Sequence, residues 1–195
     1  MPNDQSEGYS IHPAGFSEAE LQELREEADR LQKQLGTTCI RHLRAKSSRI
    51  HELAYDLRIQ KLLAPALVPV RSILFDKTPE ENWPVAWHQD LTITVAAKHE
   101  IDGYGPWSIK DGIPHVQPPV SFLEGMTTLR IHLDDTPAAN GALRVIPGSH
   151  TMGRLNARQI RNLTTSREVT CECQAGDILG MSPLILHASS RSDIP

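Results

Sequence analysis

The stretch Asn140-Gly-Ala-Leu-Arg-Val-Ile-Pro-Gly-Ser-His150 places a short hydrophobic strand between two turns. Asn-Gly is a strong signal for a tight hairpin turn, because both residues tolerate a positive φ. The following Pro-Gly pair ends the apolar run, since proline cannot donate to a sheet ladder and Pro-Gly favours a turn. The stretch therefore predicts a strand over 142–147 in an antiparallel sheet.

Other segments of the chain have the apolar and β-branched composition of strands. They lie at 68–76, 86–96, 127–134, 168–174, 177–181 and 184–188. Segments rich in Gly, Pro, Asn and Asp separate them, as expected for turns. Many short strands divided by turn residues predict an antiparallel barrel or jelly roll.

The amino-terminal part of the chain has helical periodicity instead. Ser17-Glu-Ala-Glu20 is a capping box, and apolar residues follow at helical spacing until Gly36. A second helix is predicted over 48–63, because Pro65 stops the apolar pattern there. We therefore expect one domain over 1–195, with a helical region at 1–66 and a β core at 67–195.

A long segment at 97–119 is rich in Gly and Pro and exceeds the length of a simple hairpin connection. Long loops in compact domains are often functional, so we expect a lid over one end of the barrel. Trp107 and His115 lie in this segment and offer groups that stack on, or hydrogen-bond with, a small molecule. The alternative is that Trp107 only anchors the lid to the barrel.

The segment Trp87-His-Gln-Asp90 has the spacing of a metal-binding strand. Side chains at i and i+2 of a strand share a face, so His88 and Asp90 point the same way while Gln89 points away. His187, in Leu186-His-Ala-Ser189, supplies a second imidazole if the fold brings it alongside. Two histidines and one carboxylate form the facial set that binds ferrous iron and leaves adjacent positions open for an organic co-substrate and dioxygen.

A second HxD pair, His132-Leu-Asp134, also lies on a predicted strand. Such a short motif arises often by chance and is usually a structural pair. Spacing alone does not rank one pair above the other.

The sequence around these motifs resembles the phytanoyl-CoA dioxygenase family of iron- and 2-oxoglutarate-dependent oxygenases over most of the chain. Four blocks carry the resemblance, and they are Asn82-Trp-Pro-Val-Ala-Trp-His-Gln-Asp-Leu91, Gly105-Pro-Trp-Ser-Ile-Lys-Asp-Gly112 continuing to His115-Val-Gln-Pro-Pro119, Asn140-Gly-Ala-Leu-Arg-Val-Ile-Pro-Gly-Ser-His150, and Leu184-Ile-Leu-His-Ala-Ser-Ser190. The resemblance implies a mainly β double-stranded β-helix, a cupin-like jelly roll, with amino-terminal helices. It also implies that His88, Asp90 and His187 are the iron(II) ligands and catalytic residues.

The implied activity is hydroxylation of a small molecule with 2-oxoglutarate as co-substrate, dioxygen consumed, and succinate and CO2 released. A carboxylate at Asp90 favours hydroxylation over halogenation, because related halogenases have a small residue at this position. The resemblance makes Ser189 a contact of the co-substrate's distal carboxylate, and it places the lid with Trp107 over the iron.

Family members also carry an arginine on the strand after the distal histidine, where it binds that carboxylate in a bidentate pair. The sequence ends at Pro195, before such a strand, so we expect a chain truncated at its carboxyl end. Arg191 is the nearest substitute in the sequence, and Arg130 and Arg144 are further candidates.

Composition restricts the function classes that remain. The net charge of -4 gives no electrostatic footprint for nucleic acid. The acidic start of the chain and the lack of a long apolar run predict neither a signal peptide nor a membrane span. Three cysteines fit a reducing compartment, so a cytoplasmic location is expected.

Two hypotheses of different functional class remain. One is an active iron- and 2-oxoglutarate-dependent dioxygenase, and the other is a non-catalytic or truncated relative that folds and binds metal without turnover. A cupin-like protein that uses the same ligands for zinc or manganese is a third alternative. The substrate's identity and the oligomeric state are not specified by the sequence.

Overall fold

A computed structural model describes residues 6–164 and 167–193 of the chain. The acidic start of the sequence at 1–5 and the predicted end of the domain at Pro195 lie outside these residues.

Short strands dominate the chain after residue 67, and most helices precede it. The strands are β1 (Tyr9–Pro13), β2 (Cys39–Arg41), β3 (Ile73–Phe75), β4 (Val85–His88), β5 (Ile93–Thr94), β6 (Trp107–Lys110), β7 (Ile113–Val116), β8 (Thr128–Ile131), β9 (Leu143–Ile146), β10 (Val169–Cys171), β11 (Asp177–Met181) and β12 (Leu186–Ser189). The α-helices are α1 (Glu18–Leu35), α2 (Leu43–Lys46), α3 (Ser48–Leu53), α4 (Leu57–Gln60), α5 (Val120–Glu124) and α6 (Ala157–Leu163).

The strands form two main antiparallel sheets that share one core. One sheet has the order β1-β11-β8 and the other has the order β10-β9-β12-β4. Leu143 and Val145 of β9 pack with Leu179 and Met181 of β11 in a single buried cluster. Because side chains from both sheets meet there, the sheets face each other. This arrangement confirms the predicted jelly roll of the double-stranded β-helix type.

The Asn140-Gly141 turn connects β8 to β9 as the sequence predicts, with one addition. A short 3-10 turn at Ala138–Asn140 precedes Gly141, which adopts a left-handed φ of 64°. β9 then runs antiparallel to both β10 and β12, so it lies in the interior of its sheet.

Helix α1 forms as the sequence predicts. Ser17 and Glu20 form the reciprocal capping box, and Gly36 ends the helix in the left-handed conformation with its N–H bonded to Gln32. The apolar side of α1 is buried through Leu21 and Leu31, among others. The helix therefore covers one side of the β core.

The predicted helix over 48–63 is wrong in its continuity. Asp56 interrupts it, because its side chain accepts a hydrogen bond from the Arg58 N–H and starts a new helix, α4. Two strands, β1 and β2, also lie within 1–66, and the exposed position of β1 on the outer edge of its sheet explains why no alternating pattern marked it.

The lid segment 97–119 is more regular than expected. It contains the β6–β7 hairpin, and β7 also pairs with β5 to form a separate three-stranded sheet. Val116 of this sheet is fully buried against Ile93 and Leu123, which ties the hairpin to the barrel. Sparse alternation around Asp111-Gly112 hid the hairpin in the sequence.

In the part of the chain that the structure describes, every helix is too short or too polar to cross a lipid bilayer.

Candidate metal centre

Pairing between β4 and β12 brings the two predicted histidine ligands together. His88 lies directly opposite His187 in the antiparallel register, and their ring centroids are 4.2 Å apart. His187 is buried and also lies opposite Val145 of β9, whose side chain is in the core between the sheets. Paired residues of a ladder share a face, so both imidazoles point into the barrel.

Asp90 lies just beyond the end of β4, where its backbone N–H donates to the Pro183 carbonyl at 2.9 Å. The residue between the two ligands turns the other way, as predicted. Gln89 Nε2 donates to the carbonyls of Leu184 (2.6 Å) and Gly153 (2.8 Å), and its Oε1 accepts from the Leu155 N–H at 2.8 Å. These three hydrogen bonds fix the backbone that aims His88 and Asp90.

Each imidazole forms a hydrogen bond that selects the nitrogen left for a metal. His88 Nδ1 donates to the Ala86 carbonyl at 2.8 Å, and His187 Nδ1 donates to the Ile185 carbonyl at 2.9 Å. A carbonyl oxygen only accepts, so in the neutral ring Nδ1 carries the proton and Nε2 keeps its lone pair. This orientation by a backbone carbonyl is typical of metal-ligating histidines.

The electrostatics of the site also suit a cation. Burial, followed by the neighbouring His88, lowers the pKa of His187, so this imidazole stays neutral near pH 7. Asp90 Oδ1 lies 3.3 Å from the Arg71 guanidinium, with both side chains about three-quarters buried. This ion pair with Arg71 holds the carboxylate in place.

The three side chains fit the donor set of a metal ion. One ligand atom from each of His88, Asp90 and His187 lies within 4.8 Å of the other two. Among residues 6–164 and 167–193, this is the one group of three such side chains that meets this criterion. Two imidazole nitrogens and a carboxylate suit iron(II) and leave one side of the ion open.

The two side chains of the second HxD pair, His132 and Asp134, point in different directions. His132 is buried, and its Nδ1 donates to the Thr136 hydroxyl at 3.0 Å, while that hydroxyl donates to the Asp134 carbonyl. The Asp134 carboxylate is exposed and pairs with Arg25 of α1 at 3.0 Å. β8 ends at Ile131, so the two side chains no longer follow strand alternation.

The predicted co-substrate contacts lie in three different places. Ser189 is buried two residues beyond His187, and its Oγ accepts from Lys77 Nζ at 3.1 Å. Trp107 packs against the lid cluster around Val116, with Lys98 5.8 Å from its ring centroid. Arg191 is exposed and lines a groove on the outer face of the β12–β4 pair.

The other candidate arginines differ in direction. Arg144 faces outward, where its guanidinium lies 5.3 Å from the Trp87 ring centroid and pairs with Glu168 at 3.2 Å. Arg130 lies opposite Leu179, a core residue, and so faces the interior. His115 is buried in the lid, where its Nδ1 donates to the Ile113 carbonyl and its Nε2 lies 3.3 Å from the Thr94 hydroxyl.

Sequence reasoning missed Arg71 and Lys77. Arg71 lies before β3 and Lys77 after it, in segments with no motif. Each reaches the site only because the fold places its segment beside the ligand strands. No spacing or composition signal in the sequence identifies them.

A sequence model of the family described as phytanoyl-CoA dioxygenase matches residues 5–194. A search of curated proteins finds no match to the chain.

Solved structures with a similar fold come from several oxygenases. The non-heme α-ketoglutarate-dependent carbocyclase SnoK from nogalamycin biosynthesis is 17% identical, with a TM-score of 0.69 over 97% of this chain and 75% of its own. EctD from S. alaskensis with 2-oxoglutarate and 5-hydroxyectoine is 19% identical, with a TM-score of 0.71 over 96% of this chain and 67% of its own. HygX from Streptomyces hygroscopicus with nickel and 2-oxoglutarate is 16% identical, with a TM-score of 0.64 over 96% of this chain and 78% of its own. At these identities the likeness establishes the fold.

Proposed function

The chain belongs to the phytanoyl-CoA dioxygenase family of iron(II)- and 2-oxoglutarate-dependent oxygenases, and from this premise we propose that it hydroxylates a small molecule with dioxygen and releases succinate and CO2. The observation that carries the proposal is the convergence of two imidazoles and one carboxylate where β4 pairs with β12. His88, Asp90 and His187 are the proposed iron ligands and catalytic residues.

Iron(II) bound by these residues, together with 2-oxoglutarate and dioxygen, supplies the oxidising chemistry. The protein's own residues fix the geometry. Gln89 and the two Nδ1 hydrogen bonds hold the imidazoles, and Arg71 forms an ion pair with the Asp90 carboxylate. The presence of Asp90, in place of a small residue, supports hydroxylation over halogenation.

The co-substrate contacts follow from the family pattern and stay proposals. Ser189 is buried on the inward face of β12 and is available to a carboxylate. Trp107 anchors the β6–β7 hairpin, which we propose covers the site and excludes water during the reaction. Arg191 is a predicted contact of the same carboxylate, although it reaches the outer groove in this structure.

We further propose a cytoplasmic enzyme acting on a free small molecule, with no nucleic acid or membrane partner. The three cysteines are unpaired thiols, two of them buried in the core, which supports a reducing compartment.

The proposal is tested by anaerobic titration of the 195-residue protein with iron(II) and then 2-oxoglutarate. Chelation of the metal by a 2-oxo acid produces a visible charge-transfer band, so metal and co-substrate are observed together without the substrate. We expect a saturable band in the wild-type protein and in His132→Ala. We expect none in His88→Ala or Asp90→Ala.

A protein that binds iron(II) but forms no band at any 2-oxoglutarate concentration would contradict the hydroxylase assignment for this chain. The non-catalytic alternative would then describe it. Tight binding of zinc with no detectable iron(II) binding would favour the cupin-like alternative.

A further inference from the structure

A lysine ammonium lies next to Ser189, two residues beyond the candidate metal ligand His187. Lys77 extends from the segment between β3 and β4, and its Nζ donates to Ser189 Oγ at 3.1 Å and to the Ser190 carbonyl. Burial, followed by the charge of Arg130, lowers the pKa of the Lys77 ammonium. The lysine is therefore partly removed from bulk water, and its ammonium lies within electrostatic reach of a second cation.

Arg130 is that second cation. It lies opposite Leu179 on the β8–β11 ladder and so points into the space between the two main sheets. Burial lowers the pKa of its guanidinium, although part of the side chain remains open to solvent. The guanidinium side chain therefore lies between the sheets without being sealed from solvent.

Neither cation has an acidic partner among residues 6–164 and 167–193. The ion pairs that these residues form involve other side chains. Two like charges that are each partly buried and lack a counter-ion are unfavourable, because burial removes part of the solvation that each charge needs. An anion bound between Lys77 and Arg130 would relieve this cost.

The position of these cations relative to the metal ligands suggests which anion binds. Ser189 and His187 face the interior from the same strand, two residues apart, a separation of about 7 Å along β12. Ser189 Oγ accepts from Lys77, so its own hydroxyl proton remains available to donate to a third group. A dicarboxylate with one end at the metal would reach this hydroxyl with its other end.

Gly141 of the Asn-Gly turn makes room for this arrangement. A Cβ at this position would lie 2.7 Å from the Ser190 carbonyl oxygen and 2.9 Å from Lys77 Nζ. Glycine is therefore required for the close approach of Lys77 as well as for the left-handed φ of the turn.

We propose that Lys77 and Arg130, together with Ser189, form an anion pocket that binds the carboxylate of 2-oxoglutarate remote from the metal. The inference rests on the proposed function. It assigns two cations to the co-substrate site, namely Lys77, which precedes β4, and Arg130, which lies on β8. The resemblance places the corresponding arginine elsewhere, on a strand after the distal histidine.

The test compares two 2-oxo acids in the anaerobic charge-transfer titration. One is 2-oxoglutarate, and the other is 2-oxobutanoate, which has the metal-chelating end but lacks the remote carboxylate. The variants are Lys77→Met, Arg130→Met and the charge-retaining Lys77→Arg, with the outward-facing Arg144→Met as the matched control. Lys77 lies outside any strand, so its replacement decides the question even if Arg130→Met does not fold.

We expect the dissociation constant of 2-oxoglutarate to rise roughly thirtyfold or more in Arg130→Met and about tenfold or more in Lys77→Met. The dissociation constant of 2-oxobutanoate should change by less than about threefold, because it does not engage the pocket. Lys77→Arg should retain most of the affinity, and Arg144→Met should resemble the wild type. This selective loss separates carboxylate binding from a structural role.

Equal weakening of both acids would overturn the pocket, since it would indicate a damaged fold. Unchanged 2-oxoglutarate binding in both Met variants would also overturn it while leaving the proposed function intact. If the wild-type protein binds neither acid, the proposed function fails and the pocket fails with it.

Discussion

Two segments of this protein have the same His-x-Asp spacing at the end of a strand, and only one of them forms a candidate metal site. His88 and Asp90 follow β4, next to β12, which presents His187 directly opposite. His132 and Asp134 follow β8, where the same spacing leads one side chain into the core and the other to the surface. The spacing is therefore necessary for the site but does not create it.

The environment of each pair accounts for the difference. Gln89 forms three hydrogen bonds just past the last residue of β4, and Arg71 forms an ion pair with Asp90. After β8 the chain turns, and Arg25 of α1 binds Asp134 and the Leu133 carbonyl. Neighbouring segments thus decide whether a carboxylate joins the histidine or leaves it.

The largest expected difference between the two pairs is in metal affinity. We expect His88→Ala to lower the affinity for Mn2+ by more than about a hundredfold, since even outer-shell changes at metal sites cost about 10- to 100-fold. His132→Ala should change it by less than about threefold, because its imidazole faces no second ligand. Titration followed by electron paramagnetic resonance of free Mn2+ gives both values. Equal losses in the two variants would remove the distinction between the pairs.

The middle residues of the two pairs should differ in stability. Gln89→Leu leaves three backbone groups without partners, and we expect a loss of about 2–4 kcal/mol in the free energy of unfolding. Leu133→Gln alters a half-buried side chain and should cost about 1 kcal/mol. Urea denaturation of both variants measures this. A larger loss in Leu133→Gln than in Gln89→Leu would contradict the role given to Gln89.

The free energy of unfolding should depend on pH through His132 of the second pair. Burial, and then the charge of Arg130, lowers the pKa of His132 from 6.5 to about 4 in the folded state. Below pH 6.5 the His132 imidazole binds a proton in the unfolded chain but stays neutral in the folded state. Its contribution to the free energy of unfolding is therefore fully present above pH 6.5 and is lost as the pH falls towards 4. From pH 7 to pH 5 the loss from this residue is about 2 kcal/mol.

Urea denaturation at pH 7 and pH 5 checks the sign. His132→Gln should flatten the dependence by that amount, whereas His99→Gln, at an exposed position, should leave it unchanged. An identical slope in His132→Gln and wild type would show that this histidine titrates normally.

The smallest effect is expected at the surface carboxylate of the second pair. Asp134 is 70% exposed, and Arg25 keeps its bonds to the Leu133 carbonyl without it. Asp134→Asn should therefore reduce the free energy of unfolding by less than about 1 kcal/mol, and less still at high salt. Urea denaturation at two salt concentrations tests this. A larger loss that persists in high salt would indicate a structural role for Asp134.

Much of the fold was predictable, because it depends on interactions between near neighbours in the chain. The capping box at Ser17, the stop at Gly36 and the span of β11 follow from local hydrogen bonds and from a short apolar run, and the structure agrees with each. The prediction of one continuous helix over 48–63 is wrong, because apolar spacing does not reveal that Asp56 starts a new helix. The hairpin within 97–119 was also missed, since its strands are short and mix apolar with polar residues without a clear alternation.

The candidate site divides in the same way. The sequence by itself determined the ligand types, the i and i+2 geometry of His88 and Asp90, and the glycine at 141, since these depend on backbone alternation and φ. Only the tertiary structure decided which of the two His-x-Asp pairs meets a third ligand and which cations join it. Lys77 and Ser189 are separated by 112 positions, and their contact arises from the packing of a loop against β12. Contacts over such separations depend on how the sheets close on each other, which local sequence does not encode.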